Sequence, residues 1–157
     1  MSALETITLH VNGSEHALEV DPSTPLIYVL RNRLGLTAAK LGCGLEQCGA
    51  CAVLVDGVST LSCVTPVAAF AGRDIVTCEG LGGADALSAV QQAFVDEGAG
   101  QCGYCIPGLV IAVTALLHAH PGPDAAQIRA ALTPHLCRCG SHPRVLRAVR
   151  RAAGRTP

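Results

Sequence analysis

The 157-residue chain reads as an α+β protein, rich in strand signals in its first half and helical in its second. Three observations give that class. Two dipeptides suited to two-residue hairpins, Asn12-Gly13 and Asp56-Gly57, each join short runs that alternate or are rich in Val, Ile and Thr. From about residue 86 onward those signals stop, and Ala- and Leu-rich segments at helical period follow, separated by Pro, Gly and Asp. Eight of the nine cysteines fall into two groups of four, one in each half.

Taken in order, residues 6–11 alternate, Asn12-Gly13 turns the chain, and residues 16–20 return. Ser23-Thr24-Pro25 predicts an N-cap followed by proline at the first helical position, opening a helix over 26–34 that Gly35 ends. A glycine-lined loop comes next. Residues 51–55 and 58–63 then flank Asp56-Gly57 as a second hairpin, with Cys51 and Cys63 nearly opposite one another at its outer ends. Residues 74–79 are an apolar-rich segment after a turn, and Glu79-Gly-Leu-Gly-Gly-Ala84 reads as a linker. Four helices are expected beyond it, over 86–95, from Pro107 to 117, over 125–132 behind an Asp124 cap, and over 144–151 behind Pro143. Four short helices suffice for a small bundle.

The cysteine spacing carries the chemistry. The first group runs Cys43-Gly-Leu-Glu-Gln-Cys48-Gly-Ala-Cys51 and closes with Cys63; the second pairs Cys102-Gly-Tyr-Cys105 with Cys137-Arg-Cys139. Cys-x4-Cys-x2-Cys with a distant fourth cysteine is the plant-type [2Fe–2S] ligand pattern. A disulfide framework fits poorly with an odd cysteine count. Structural zinc is the stronger rival, since two Cys pairs can also make a tetrahedral four-thiolate site. Zinc sites seldom need the glycines of residues 42–50, whereas sulfurs that accept several backbone N–H bonds require such a close wrapping. Two [2Fe–2S] clusters are therefore expected, one on Cys43, Cys48, Cys51 and Cys63 and one on Cys102, Cys105, Cys137 and Cys139. Cys78 is read as a small buried hydrophobe.

Composition narrows the rest. A formal net charge of −1 argues against a nucleic-acid binder with a broad basic surface. Half the residues are hydrophobic but only 3% are aromatic, so the interior must be packed from Ala, Val and Leu. No apolar stretch reaches the roughly 18 residues that a membrane span needs, and the longest, 108–117, reads as a buried helix. The first residues lack the basic-then-apolar pattern of an export signal. A soluble, cytoplasmic subunit is expected, with membrane or periplasmic association only through a partner.

Gly42-Cys-Gly-Leu-Glu-Gln-Cys-Gly-Ala-Cys51, Gln101-Cys-Gly-Tyr-Cys-Ile-Pro-Gly108 and Leu136-Cys-Arg-Cys-Gly140 together resemble the two-cluster iron–sulfur small subunit of the molybdenum hydroxylases, the xanthine dehydrogenase and aldehyde oxidoreductase family. The resemblance runs from the first hairpin to about Arg151. It implies an N-terminal β-grasp, ferredoxin-like domain over 1–79 and a C-terminal four-helix bundle over 84–157. The implied partner is a molybdopterin-binding large subunit, with Gln101 and Cys139 against the pterin and the C-terminal cluster nearest the molybdenum. The loop 42–50 would then face the electron acceptor. The tail from Cys139 to Val149 is similar to a bacterial subgroup containing isoquinoline oxidoreductase and nicotinate dehydrogenase. In several of these the acceptor is a c-type cytochrome rather than a flavin protein. One departure is Pro134-His135, where relatives more often carry Gly-Asn; His135 would hydrogen-bond a cluster sulfur or simply end a helix.

The expected function is thus that of an electron-transfer subunit of a molybdenum-dependent oxidoreductase acting on an N-heteroaromatic compound or an aldehyde. No Ser/His/Asp arrangement or carboxylate pair suggests substrate chemistry on this chain, so no catalytic residue is expected. A free-standing two-cluster ferredoxin and a zinc-stabilised interaction module are the rivals. His118 and His120 suit a helix C-terminus, and His10 and His16 are expected to be exposed. Arg144, Arg147, Arg150, Arg151 and Arg155 are read as a solvated face, with a docking surface for an acidic partner as the alternative.

Overall fold

Both asparagine and aspartate tolerate the left-handed backbone that tight hairpins demand, and the two hairpins form where those residues stand. A computed structural model describes residues 3–83 and 85–154. Strands β1 (Glu5–Val11) and β2 (Ser14–Val20) turn at Asn12 and Gly13, with φ of 52° and 77°; β3 (Ala52–Val55) and β4 (Val58–Leu61) turn at Asp56 and Gly57, with φ of 49° and 81°. A fifth strand, β5 (Asp74–Val76), joins the hairpins into one sheet of order β2-β1-β5-β3-β4. Strand β5 is parallel to β1 and antiparallel to β3. The turn residues also hold it in place. Asp56 accepts from the Asp74 amide at 3.0 Å and from Arg73 Nε at 2.7 Å, while Asn12 Oδ1 accepts from the Thr77 amide at 2.9 Å.

Helix α1 (Leu26–Asn32) covers one face of the sheet. Leu26, Ile27, Val29 and Leu30 pack with Ile7, Leu9 and Val11 of β1, Val53 and Val55 of β3, Phe70 and Ile75. The helix starts at Leu26 as expected and ends two residues early, at Asn32, but the proline stands outside its first turn. Pro25 is its N-cap and makes no side-chain cap bond, while Ser23 is drawn into a local turn on Asp21 through its amide at 2.9 Å and its hydroxyl at 2.6 Å.

Four helices follow: α2 (Ala89–Asp96), α3 (Ile106–Ala119), α4 (Ala125–Leu132) and α5 (His142–Ala152). Helix α2 begins three residues after the expected start, because Ser88 and Gln91 form a reciprocal capping box. Asp124 and Gln127 do the same for α4. The first half of the stretch read as a linker belongs to a 3-10 turn, Cys78–Leu81, bound to α2 through Gln91 Nε2 and the Cys78 carbonyl at 2.9 Å; Ala84 lies outside the described residues.

Helix α3 is apolar on nearly every side because it is used on two. Leu109, Val110, Val113 and Leu116 enter a core shared with Val90, Phe94, Ile128, Val145 and Val149. Ile111, fully buried, lies instead against Ala52 and Leu54 on the outer face of β3. All four residues of β3 are consequently buried, Val53 and Val55 under α1 and Ala52 and Leu54 under α3.

The basic face of α5 stays largely exposed, as expected, but three of its arginines are tied to the end of α2. Arg147 Nε and Arg151 Nε reach the Glu97 carboxylate at 3.0 and 2.8 Å, and Arg144 donates to the Gly98 carbonyl at 3.2 Å. These arginines close the C-terminal end of α2 against α5, and Arg155 lies outside the described residues. His10 and His16 are half-buried rather than exposed. Among the described residues no helix is long and apolar enough to cross a membrane.

Two consequences can be measured. Ile111→Ala empties a site between sheet and helices, so unfolding should be easier by about 2–5 kcal/mol, read from denaturant melts. The Glu97 carboxyl lies below its ordinary value of 4.5, held there by hydrogen bonds from Arg151 and Arg147. A lowered carboxylate pKa gives stability that is complete above the ordinary value and lost as pH falls through the folded one. Glu97→Gln should therefore lower the melting temperature at neutral pH, with the difference from the wild type vanishing in acid.

Candidate metal centres

The loop between α1 and β3 has almost no regular structure, and its amides are used on sulfur instead. Cys43 Sγ accepts from the amides of Leu45 and Gln47, both at 3.3 Å. Cys48 Sγ accepts from the Cys43 amide, Cys51 Sγ from Ser62 and Cys63 Sγ from Glu46, each at 3.4 Å. Every sulfur of the first set therefore has at least one backbone donor. The winding that turns those amides inward needs left-handed backbone at Gly44, Glu46 and Gly49. Glu46 bears that conformation with a side chain, and its carboxylate is fixed by the Thr65 hydroxyl at 3.0 Å. At Gly42 there is no room for anything larger, since a Cβ would stand 2.7 Å from Cys48 Sγ.

The β3–β4 register sets Ala52 opposite Leu61, so that Cys51 and Ser62 come next to each other and Cys63 follows. The Ser62 hydroxyl, fully buried, donates to the Cys51 carbonyl at 2.7 Å and locks that end of the hairpin. A ligand distant in sequence reaches the loop without any long excursion.

The second set stands at the N-terminus of α3 and in the turn between α4 and α5. Cys105 is the N-cap of α3, Cys102 lies on the preceding turn, and Cys137 and Cys139 precede α5. Ser141, the N-cap of α5, brings its hydroxyl 3.3 Å from Cys137 Sγ.

In both sets the sulfurs meet in pairs. Cys43 lies within hydrogen-bonding reach of Cys48, and Cys63 of Cys51; Cys102 is matched with Cys139, and Cys105 with Cys137. Two pairs suit two irons, each taking two thiolates, with bridging sulfides between them. A single tetrahedral ion would instead draw four sulfurs to one point. Backbone amides aimed at sulfur, paired thiols and the bare Gly42 cradle all fit the binuclear cluster.

Proton affinities differ within each set. Cys43 is lowered to about 7, chiefly by the Gln47 and Leu45 amides. Cys137 is also lowered to about 7; burial works against this, but the Ser141 hydroxyl, nearby amides and the Cys105 thiol outweigh it. Burial pushes Cys63 up to about 11 and Cys105 up to about 12. Each set thus contains one sulfur that gives up its proton near neutrality and one that holds it until iron displaces it, so loading releases protons.

Gln101 is exposed and lines a cavity of about 500 Å³ with Phe94, Ile106 and Pro107, between α2 and α3. Cys78 is half-buried beside Gln91, and burial raises its pKa. His135 follows the end of α4, where its amide donates to the Leu132 carbonyl at 2.9 Å as a helix-ending residue would; it is 6% exposed, and its Nδ1 has no hydrogen-bond partner among the described residues rather than a cluster sulfur. Burial holds the imidazole below its usual pKa, while a backbone contact with Gly49 works the other way. Three residues of the site were not singled out in the sequence: Glu46, Ser141 and Tyr104, whose hydroxyl donates to the Leu41 carbonyl at 2.7 Å. Their signals were present in their positions, inside or beside the cysteine motifs.

Comparison with known proteins agrees with this chemistry. Residues 9–78 match a 2Fe-2S iron-sulfur cluster binding domain and residues 77–150 a [2Fe-2S] binding domain. The chain is 54% identical over 148 residues to a nicotinate dehydrogenase subunit from Pseudomonas putida, covering 94% of each chain. It is 42% identical over 135 residues to the alpha chain of isoquinoline 1-oxidoreductase from Brevundimonas diminuta, covering 86% of this chain and 88% of that one. Among solved structures it is similar to quinoline 2-oxidoreductase from Pseudomonas putida 86, with a TM-score of 0.91 at 33% identity over 98% of this chain and 96% of that one. It is also similar to aldehyde oxidoreductase from Desulfovibrio gigas, with a TM-score of 0.92 at 38% identity over 96% of this chain and 17% of that longer one. With two cluster-binding matches and relatives of this identity along nearly its whole length, the chain belongs to the two-cluster [2Fe–2S] small subunits of the molybdenum hydroxylases, the electron-transfer subunits of these oxidoreductases.

Proposed function

We propose that this chain takes electrons from the molybdenum site on a large partner protein and passes them one at a time through two [2Fe–2S] clusters to an external acceptor. Cys43, Cys48, Cys51 and Cys63 hold the first cluster in a β-grasp, ferredoxin-like unit over 1–79. Cys102, Cys105, Cys137 and Cys139 hold the second in a four-helix bundle over 84–157. The observation that carries this reading is the meeting of eight sulfurs as four pairs. The clusters supply one-electron redox chemistry; the chain supplies thiolates, amide donors and spacing.

The C-terminal cluster faces the pterin, with Gln101 and Cys139 against it, and the loop 42–50 faces the acceptor. Exposed apolar side chains support two covered surfaces: Tyr104 and Leu136 beside the second set, Leu41, Leu45 and Val64 beside the first. Similarity to subunits of nicotinate dehydrogenase and isoquinoline 1-oxidoreductase favours an N-heteroaromatic substrate over an aldehyde. The acceptor is a c-type cytochrome or a flavin protein. Thiols that must stay reduced until iron arrives favour loading in the cytoplasm.

Purified protein should contain about four iron and four sulfide per chain; stoichiometric zinc, or half that iron, would overturn the assignment. Cys48→Ser should abolish the first cluster's paramagnetic resonance signal and keep the second, and Cys105→Ser the reverse. Loss of both signals from either change in a still-folded chain would refute the two-set division. In a structure of the complex the second cluster should lie nearer the pterin, across an interface burying more than about 2,000 Å². A nearer first cluster, or a bundle face left in solvent, would reverse the proposed direction.

A further inference from the structure

The two ligand segments touch each other at Gly49, which lies between Cys48 and Cys51. On one side a Cβ at Gly49 would stand 2.3 Å from Nδ1 of His135 and 2.7 Å from the Pro134 carbonyl oxygen. On the other side α3 presses on the Gly49 carbonyl, because a Cβ at Gly108 would stand 2.2 Å from that oxygen and 3.3 Å from Ala50 Cα. Gly49 is thus gripped between His135 and the first turn of α3. Immediately beside the grip, the Leu136 amide donates to the Cys48 carbonyl at 3.0 Å. That bond joins the peptide of one cysteine ligand to the residue before another, Cys137.

His135 is a poor choice for a purely structural filler. It is buried, and its Nδ1, which meets only the Gly49 backbone and makes no hydrogen bond of good geometry, costs free energy that an apolar side chain would avoid. What the ring offers is flatness. A planar imidazole can lie edge-on to a bare glycine Cα more closely than a branched aliphatic side chain, and this places its neighbour Leu136 at hydrogen-bonding distance from Cys48.

We propose that His135 is a positioning residue that, with Gly108, clamps Gly49 and so holds the Leu136–Cys48 hydrogen bond as the bridge between the two clusters. The inference rests on the electron route proposed above. The step it serves moves one electron, the second cluster being oxidised as the first is reduced, with no bond made or broken.

The test uses the full chain in its complex, in wild type, His135→Ala, His135→Asn and Gly108→Ala. Iron content and the two separate resonance signals test the cluster assignment alone. The clamp is read from the magnetic splitting between the two reduced clusters, the rate of transfer between them after rapid reduction, and hydrogen exchange of the Leu136 amide. His135→Ala should keep the iron and both signals, exchange the Leu136 amide faster, weaken the splitting and slow transfer several-fold. His135→Asn, with a flat amide, should recover part of each. Gly108→Ala pushes the grip apart from the other side and should reproduce the effect, deciding the matter if His135→Ala fails to load iron. Unchanged splitting and transfer rate in variants that retain both clusters would overturn the proposal, as would faster amide exchange without slower transfer. A wild type lacking two signals would instead refute the electron route.

Discussion

Burial of β3 on both faces is the constraint on which the rest of the molecule depends. A strand of four apolar residues, Ala52 to Val55, can be covered twice only if something other than α1 lies against its outer side. Helix α3 provides the cover through Ile111, and in doing so it brings its N-terminal turn, with Cys105 and Gly108, alongside the loop that carries Cys48 and Gly49. The apolar face that stabilises the junction and the approach of the two thiol sets are one arrangement. An aromatic-poor interior helps, because Val, Ile and Ala leave surfaces flat enough for a helix to settle closely on a sheet.

The loop from 36 to 51 shows how irregular backbone persists in such a structure. Amides that cannot join a helix or a sheet would be left unpaired, and here the thiols accept them. Negative charge on Cys43 is in turn favoured by the Gln47 and Leu45 amides that it accepts. Folding and ligand chemistry are therefore coupled: the loop has its hydrogen-bond partners only while the sulfurs point inward, and Cys43 is held low only while the loop is wound.

Much of this was legible in the sequence because it was locally encoded. Asn12-Gly13, Asp56-Gly57 and the Asp124 cap act over two to four residues, and the cysteine spacing states its own pairing partners closely. The misses share a cause, dependence on distant neighbours. Strand β5 is three residues long and becomes a strand only because β1 and β3 stand on either side of it. Ser88-x-x-Gln91 was a readable capping box, yet the alanine and leucine before it continued the helical period and obscured the start of α2. The pairing of the exposed α5 arginines was not legible because Glu97 is about fifty residues away in sequence. The burial of His135 against Gly49 has no local signature at all.

The position of β5 at the middle of the sheet has a consequence for how the chain is made. Its parallel partner, β1, is more than sixty residues earlier, so the first hairpin can form early but the sheet cannot close until residues 74–76 have left the ribosome. Throughout that interval the first cysteine loop is synthesised and open, flanked by a finished hairpin on one side and an unfinished sheet on the other. The topology thereby lets the loop be wound before the sheet around it is complete, and the loop stays at the surface afterwards, with Cys43 exposed in the finished fold.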